Sequence, residues 1–318
     1  MRHPAAVLIC LLAGSLFTGC VEPCPETFVP MEQLVQEQNE NAAKVDRLWA
    51  RVNFIATVKQ DGLTYPYHSP LLPSNGYLLL EKGLDPLGPH NFVLIVRETG
   101  VNVFRAGSNV EEGVYYAWAN LGERSEARVG RLKYAGAGSV AGLALDPLQL
   151  LYALGILSLP ADQSTLPAVS MKLQRQPGDC AYVVNWIDRE PDTGRILIRR
   201  EMLFRWSDDK PRQLYRMNIY DNQGRKLMTV DADDYEPVAA PGAPEDAELP
   251  VMPTDIRVKW HDWPGLPGGI ESIRLLLSEM TLEERGDPAS ASRFKANLPA
   301  GIPVRVIDAN LDQGGSSR

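Results

Sequence analysis

The sequence is poor in the residues that enzymes and metal sites depend on. It holds four histidines and four cysteines in 318 residues. His68, His90 and His261 lie far apart in loop-like contexts, with no spacing that suits a metal. No Gly-x-Ser-x-Gly elbow occurs, so the nucleophile signature of the α/β-hydrolases is missing. Gly136-Ala137-Gly138 lacks a following Gly-Lys-Ser, which argues against a phosphate loop there. Asp231, Asp233 and Asp234 lack the glycine and closing glutamate of a calcium loop and read as solvated carboxylates at a strand end. Trp260, His261 and Trp263 read as a packed strand end. Positive charge is also short: 32 Lys and Arg against 40 Asp and Glu leave a net charge of −8. An acidic chain is a poor partner for nucleic acid. These absences argue against catalysis and lead us to expect no metal and no cofactor.

Long apolar runs are missing too, apart from one short one. Ala5 to Phe17, just behind Met1-Arg2, is nearly all apolar. It suits the core of a signal peptide and is too short to span a bilayer. It closes on Leu16-Phe17-Thr18-Gly19-Cys20, where small residues precede the cysteine as a signal peptidase requires. The stretch resembles the lipobox of bacterial lipoproteins, with Phe17 where Leu is commoner. The resemblance implies that residues 1–19 are a lipoprotein signal peptide and that Cys20 is lipidated. Two or three acyl chains there would hold the chain stably to a membrane. The competing reading is an ordinary secretory signal with an incidental cysteine. Val21 stands where an inner-membrane retention signal often puts Asp, which leans towards the outer membrane and the periplasm. Cys10 leaves with the signal, so Cys24 and Cys180 remain in a compartment that permits disulfides. They either pair, stapling the tether to the body, or stay free. Their sequence positions do not decide which.

Residues 20–30 read as a tether. Met31 to Val52 reads as one amphipathic helix: Met31, Leu34, Val35, Ala42, Val45, Leu48, Trp49 and Val52 recur at three- and four-residue spacing. Strand signals follow at Asn53–Gln60, Gly76–Lys82, Asn91–Glu98, Val101–Phe104, Val114–Trp118 and Ala127–Tyr134, joined by short links as in an antiparallel meander. Asp146-Pro147 opens a second helix through Leu154, apolar nearly all round, that stops near Gly155. A second strand series runs from Val169 to Leu277. Its hairpin turns are Glu190–Gly194 and Asp221–Gly224. In the strand Leu214–Tyr220, the alternation sends Leu214, Arg216, Asn218 and Tyr220 one way and Tyr215, Met217 and Ile219 the other. Residues 237–253 are a proline-rich loop within the domain. Val304–Ile307 forms a last strand, and 312–318 reads as a disordered tail.

This order resembles the lipoprotein-carrier family of LolA and LolB. The resemblance rests on scattered phrases: Trp49-Ala50-Arg51-Val52-Asn53-Phe54, Gly76-Tyr77-Leu78-Leu79-Leu80-Glu81-Lys82, Phe104-Arg105-Ala106-Gly107-Ser108-Asn109, Tyr115-Tyr116-Ala117-Trp118, and Ile219-Tyr220-Asp221-Asn222-Gln223-Gly224. It implies an α+β fold over residues 31–311, a large curved antiparallel sheet forming an unclosed β-barrel. The N-terminal and mid-chain helices would cover its concave face. It also implies a hydrophobic cavity for acyl chains of lipids or lipoproteins, without covalent chemistry. The expected wall is Phe92, Leu94, Val96 and Val103, with Trp118 nearby. The expected lid is Leu148, Leu151, Leu154 and Leu157, with Gly136, Gly138 and Gly142 as hinges. The alternative is a module on the same fold whose core is simply filled, presenting a surface to an envelope protein partner.

Overall fold

The computed structural model describes residues 24–60, 63–67, 75–120, 122–134, 147–176, 179–190, 194–207, 211–261, 270–283 and 291–308, with the backbone alone at 58–60, 63–67, 75, 124, 147–148 and 291. The first strands are β1 (Arg47–Gln60), β2 (Leu63–Tyr67), β3 (Asn75–Glu81), β4 (Asn91–Glu98), β5 (Val101–Asn109), β6 (Val114–Ala119) and β7 (Glu126–Arg131). The second series is β8 (Ala168–Gln176), β9 (Asp179–Arg189), β10 (Ile196–Arg205), β11 (Leu214–Tyr220), β12 (Lys226–Pro237), β13 (Val251–Trp260) and β14 (Ile270–Thr281), and β15 (Val304–Val306) closes the chain. The helices are α1 (Met31–Ala43) and α2 (Pro147–Ala153).

All strands join one 15-stranded sheet, in the order β15-β7-β6-β5-β4-β3-β1-β14-β13-β12-β11-β10-β9-β8, with β2 beside β1. Its end strands β8 and β15 do not pair with each other, so the barrel is unclosed. Two meanders meet at β1. One edge of β1 takes β3 and then β2, and the other edge takes β14. Pairing is antiparallel except at β15, which lies parallel to β7.

The stretch read as one helix from Met31 to Val52 is in fact α1 followed by β1. Lys44 and Val45 donate their amides to Asn41 and Ala42, tightening the last turn and closing the helix. Beyond it Leu48, Ala50, Val52, Phe54 and Ala56 are buried at every second residue. That period of two belongs to a strand, and pairing with β3 and β14 on both edges outweighs the weaker helical spacing of Trp49 and Val52. The strand Val101–Phe104 runs on to Asn109. The proline-rich stretch is shorter than expected, because β12 continues to Pro237 and β13 begins at Val251. Between them Val238 is fully buried and Ala239 bridges to Thr281. In β11 a register shift turns Leu214 onto the inner face, while Tyr215 joins Ala181, Val183 and Leu203 on the outer face.

The inner face carries one continuous apolar core drawn from both meanders and both helices. The outer face differs between the halves. Over β10–β14 it carries ion pairs, with Arg216–Asp231 at 2.6 Å, Arg205–Asp233 at 2.9 Å and Arg274–Asp255 at 2.8 Å, beside the small apolar cluster on β9–β11. Burial alone would raise the Asp255 carboxyl, but hydrogen bonds from Arg274 and Arg257 outweigh it and hold it below the usual range. Over β4–β7 the outer face is covered by the C-terminal strap, residues 291–308. Tyr116 donates to the Phe294 carbonyl at 2.8 Å, and Trp118 Nε1 to that of Ala296 at 2.7 Å. Arg131 grips the fully buried Asp308 carboxylate at the strap's end.

Candidate functional site: the inner face and its helices

The expected wall residues divide between the two faces. Phe92, Leu94 and Val96 alternate along β4 onto the inner face, each 1 % exposed. Val103 packs at the margin of the same core, half-buried. Trp118 does not join them. It lies in a separate outer-face cluster with Tyr116 and Ala127 beneath the strap. The reason is parity: Ala117 and Ala119 take the inner positions of β6, so Trp118 between them must point outwards.

Leu151 on α2 and Leu154 just past its end are fully buried, and Leu157 nearly so. Leu148 lies in the helix, with its side chain outside the described residues. The intended hinge, Gly136, Gly138 and Gly142, and the N-cap Asp146 also fall outside them. The C-terminus of α2 is well defined. Gly155 takes a φ of +68°, and its amide donates to Tyr152 while that of Ile156 donates to Leu151. This is a Schellman motif, where a side chain at the left-handed position would be strained. It turns the chain so that Ile156 and Leu157 re-enter the core. The helix touches β5 in the first meander and β11 and β12 in the second, so it plugs the space between the two halves.

A second group of residues stands within that apolar interior. Tyr152 on α2 meets Trp186 of β9 edge-on, with centroids 5.2 Å apart. The guanidinium of Arg200, on β10, lies 4.0 Å from the Tyr152 ring and 4.7 Å from Trp186. Its Nε donates to Gln149 Oε1 on α2 at 2.6 Å. Sequence reasoning passed over these four residues. The signal was there: Arg200 stands at an inner position of a strand whose next inner residues are Met202 and Phe204.

By contrast, α1 is pinned by its polar side chains. Glu37 takes a bidentate contact from Arg212 Nη1 at 2.6 and 2.7 Å, and Gln38 donates to the Arg212 carbonyl at 2.6 Å. Asn39 exchanges two hydrogen bonds with the Leu159 backbone, and Asn41 does the same with Val251. At the helix C-terminus the Lys82 ammonium donates to the Ala42 carbonyl, where a cation suits the helix dipole. Burial lowers Lys82 to about 8, against a smaller opposing pull from Asp46. Cys24 and Cys180 are joined in a disulfide with Cα atoms 5.5 Å apart, tying the segment before α1 to β9. A surface groove of about 440 Å³ runs beside α1, between Met31, Val35 and Ala43 and the segment from Ala161 to Gln163.

No family model and no curated protein matches the chain. Several solved structures are similar to it, among them these three. A domain from Vibrio parahaemolyticus, named for outer membrane lipoprotein sorting, is 13 % identical with a TM-score of 0.46 over 84 % of this chain and 97 % of its own. A DUF1329 family protein from Desulfovibrio piger is 12 % identical, with a TM-score of 0.47 over 83 % and 95 %. A LolA superfamily protein from Nitrosomonas europaea is 15 % identical, with a TM-score of 0.43 over 82 % and 96 %. At these identities and scores none of the three decides what this chain binds.

Proposed function

We propose that the chain is a lipid-anchored protein of the bacterial envelope that holds an acyl chain of a lipid or lipoprotein between α2 and the inner face of the sheet. The observation that carries this reading is the contrast between the helices. Polar side chains pin α1 at four points, whereas α2 is bound mainly by apolar contact across both meanders. Apolar contact is non-directional, so a hydrocarbon chain can replace it without leaving a hydrogen bond unmade. Each CH₂ buried contributes about 0.8 kcal/mol, so half of a sixteen-carbon chain brings about 6 kcal/mol to offset lifting α2. Leu151 and Leu154 would then face the chain from above and Phe92, Leu94 and Val96 from below. Lipidated Cys20 anchors the protein to the outer membrane from the periplasmic side, and the role involves no covalent step.

Leu151→Asp and Leu154→Asp test this. Each is expected to lower affinity for a fluorescent acyl probe at least 10-fold, by placing a carboxylate against the chain. Near-UV circular dichroism checks that the fold is kept. Unchanged probe binding in both folded variants would sink the reading. It would favour the second one, a partner-binding module, which the close packing of Leu151, Ala153, Leu154 and Ile156 also suits.

A further inference from the structure

Arg200 is out of place in an interior built for hydrocarbon alone. It is 8 % exposed, and its Nη1 is buried with no hydrogen-bond partner among the described residues. Two other buried arginines face carboxylates, Arg212 meeting Glu37 and Arg128 meeting Glu126. The carboxylate next in sequence, Glu201, accepts from Asn218 and Tyr220 on the opposite face of β10. What Arg200 has instead is one neutral acceptor, Gln149, and two aromatic faces, Tyr152 and Trp186. Two of these three partners, Gln149 and Tyr152, sit on α2, the element that must lift to admit a chain. When it lifts, Arg200 keeps, of its partners among the described residues, Trp186. A buried guanidinium left so poorly paired is unfavourable until an anion arrives, and its planar fork matches the two oxygens of a carboxylate or phosphate.

We propose that Arg200 is the anion contact of this site, pairing with the carboxylate or phosphate headgroup of an amphiphile whose acyl chain runs beneath α2. The inference rests on the acyl-chain reading and narrows it to anionic amphiphiles, such as fatty acids or phospholipids, over neutral acyl groups. Trp186 supports the guanidinium from below, and Gln149 and Tyr152 hold it in place while the site is closed.

The test uses the full chain with Cys20→Ser, secreted behind a cleavable signal and purified without detergent. Oleate, oleoyl lysophosphatidate and oleyl alcohol compete in turn with a neutral fluorescent probe. The wild type is expected to bind at least one of the two anions at least 10-fold more tightly than the alcohol, and which anion wins names the headgroup. Arg200→Met is expected to lose about 10- to 100-fold for that anion, the scale of hydrogen bonds to a charged group, and to hold the alcohol within about 3-fold. Arg200→Lys, which keeps the charge, is expected to retain part of the preference and serves if the methionine variant misfolds. Equal binding of all three ligands by the wild type would overturn the role of Arg200 and leave the acyl-chain reading standing. Binding of none would overturn both.

Discussion

His90 shows how much one side chain can hold without advertising it in the sequence. It read as a loop histidine, yet it is fully buried, and its Nδ1 accepts the Gly83 amide at 2.9 Å. Burial lowers it to about 4, helped by the Lys82 charge. The sign follows from linkage. Between 6.5 and about 4 the unfolded chain takes up a proton that the folded chain refuses, so stability falls as pH drops through that window. Melting temperature is therefore expected to decline from pH 6.5 towards 4 in the wild type, and His90→Leu to flatten that slope, whatever it does to the level. An unchanged slope would assign the acid sensitivity to other groups. Arg200 escaped notice for the same reason as His90. Composition reveals a polar residue but not the burial around it. That Phe92, Leu94 and Val96 share one face was legible because side chains alternate along a strand.

Elements were legible where one period was unopposed. Strands β4 and β9, the hairpin turn at Asp221–Gly224 and the stop of α2 at Gly155 follow from local chemistry that no distant contact overrides. The boundary between α1 and β1 did not, since residues 45–52 satisfy both a helical and a strand spacing, and the choice is made by β3 and β14, far along the chain. The polar residues of α1 were equally hidden, because Glu37, Asn39 and Asn41 look like a solvated face until their distant partners, the Arg212 guanidinium and the Leu159 and Val251 backbone, are known. The Glu37–Arg212 pair lies with side chains 10 % and 6 % exposed. Removing one partner of such a pair leaves the other charge buried, which costs about 3–5 kcal/mol. Glu37→Ala is expected to lose that much in urea denaturation. The double variant Glu37→Leu with Arg212→Met is expected to lose far less, because no charge is left behind. A loss below about 1 kcal/mol in the single variant would mean that α1 is not pinned through this pair.

At the scale of the whole molecule, the unclosed sheet with its helices on the inner face is the architecture that the family resemblance implied. What the resemblance did not convey is the division of labour around it. The disulfide and the polar contacts fix α1 at one side, and the strap 291–308 seals the outer face of β4–β7. Apart from its Arg200 contact, α2 is left as the element whose attachment is mainly apolar. That asymmetry singles out α2, among the described elements, as the wall that the proposed hydrocarbon chain would replace. The most direct measurement is mass spectrometry of the Cys20→Ser protein secreted in a bacterial envelope and purified without detergent, native and after extraction into organic solvent. The expected result is a bound mass that extracts as lipid and is lost from Leu151→Asp. A clean ligand-free mass, unchanged after adding phospholipid or an acylated peptide, would contradict the account.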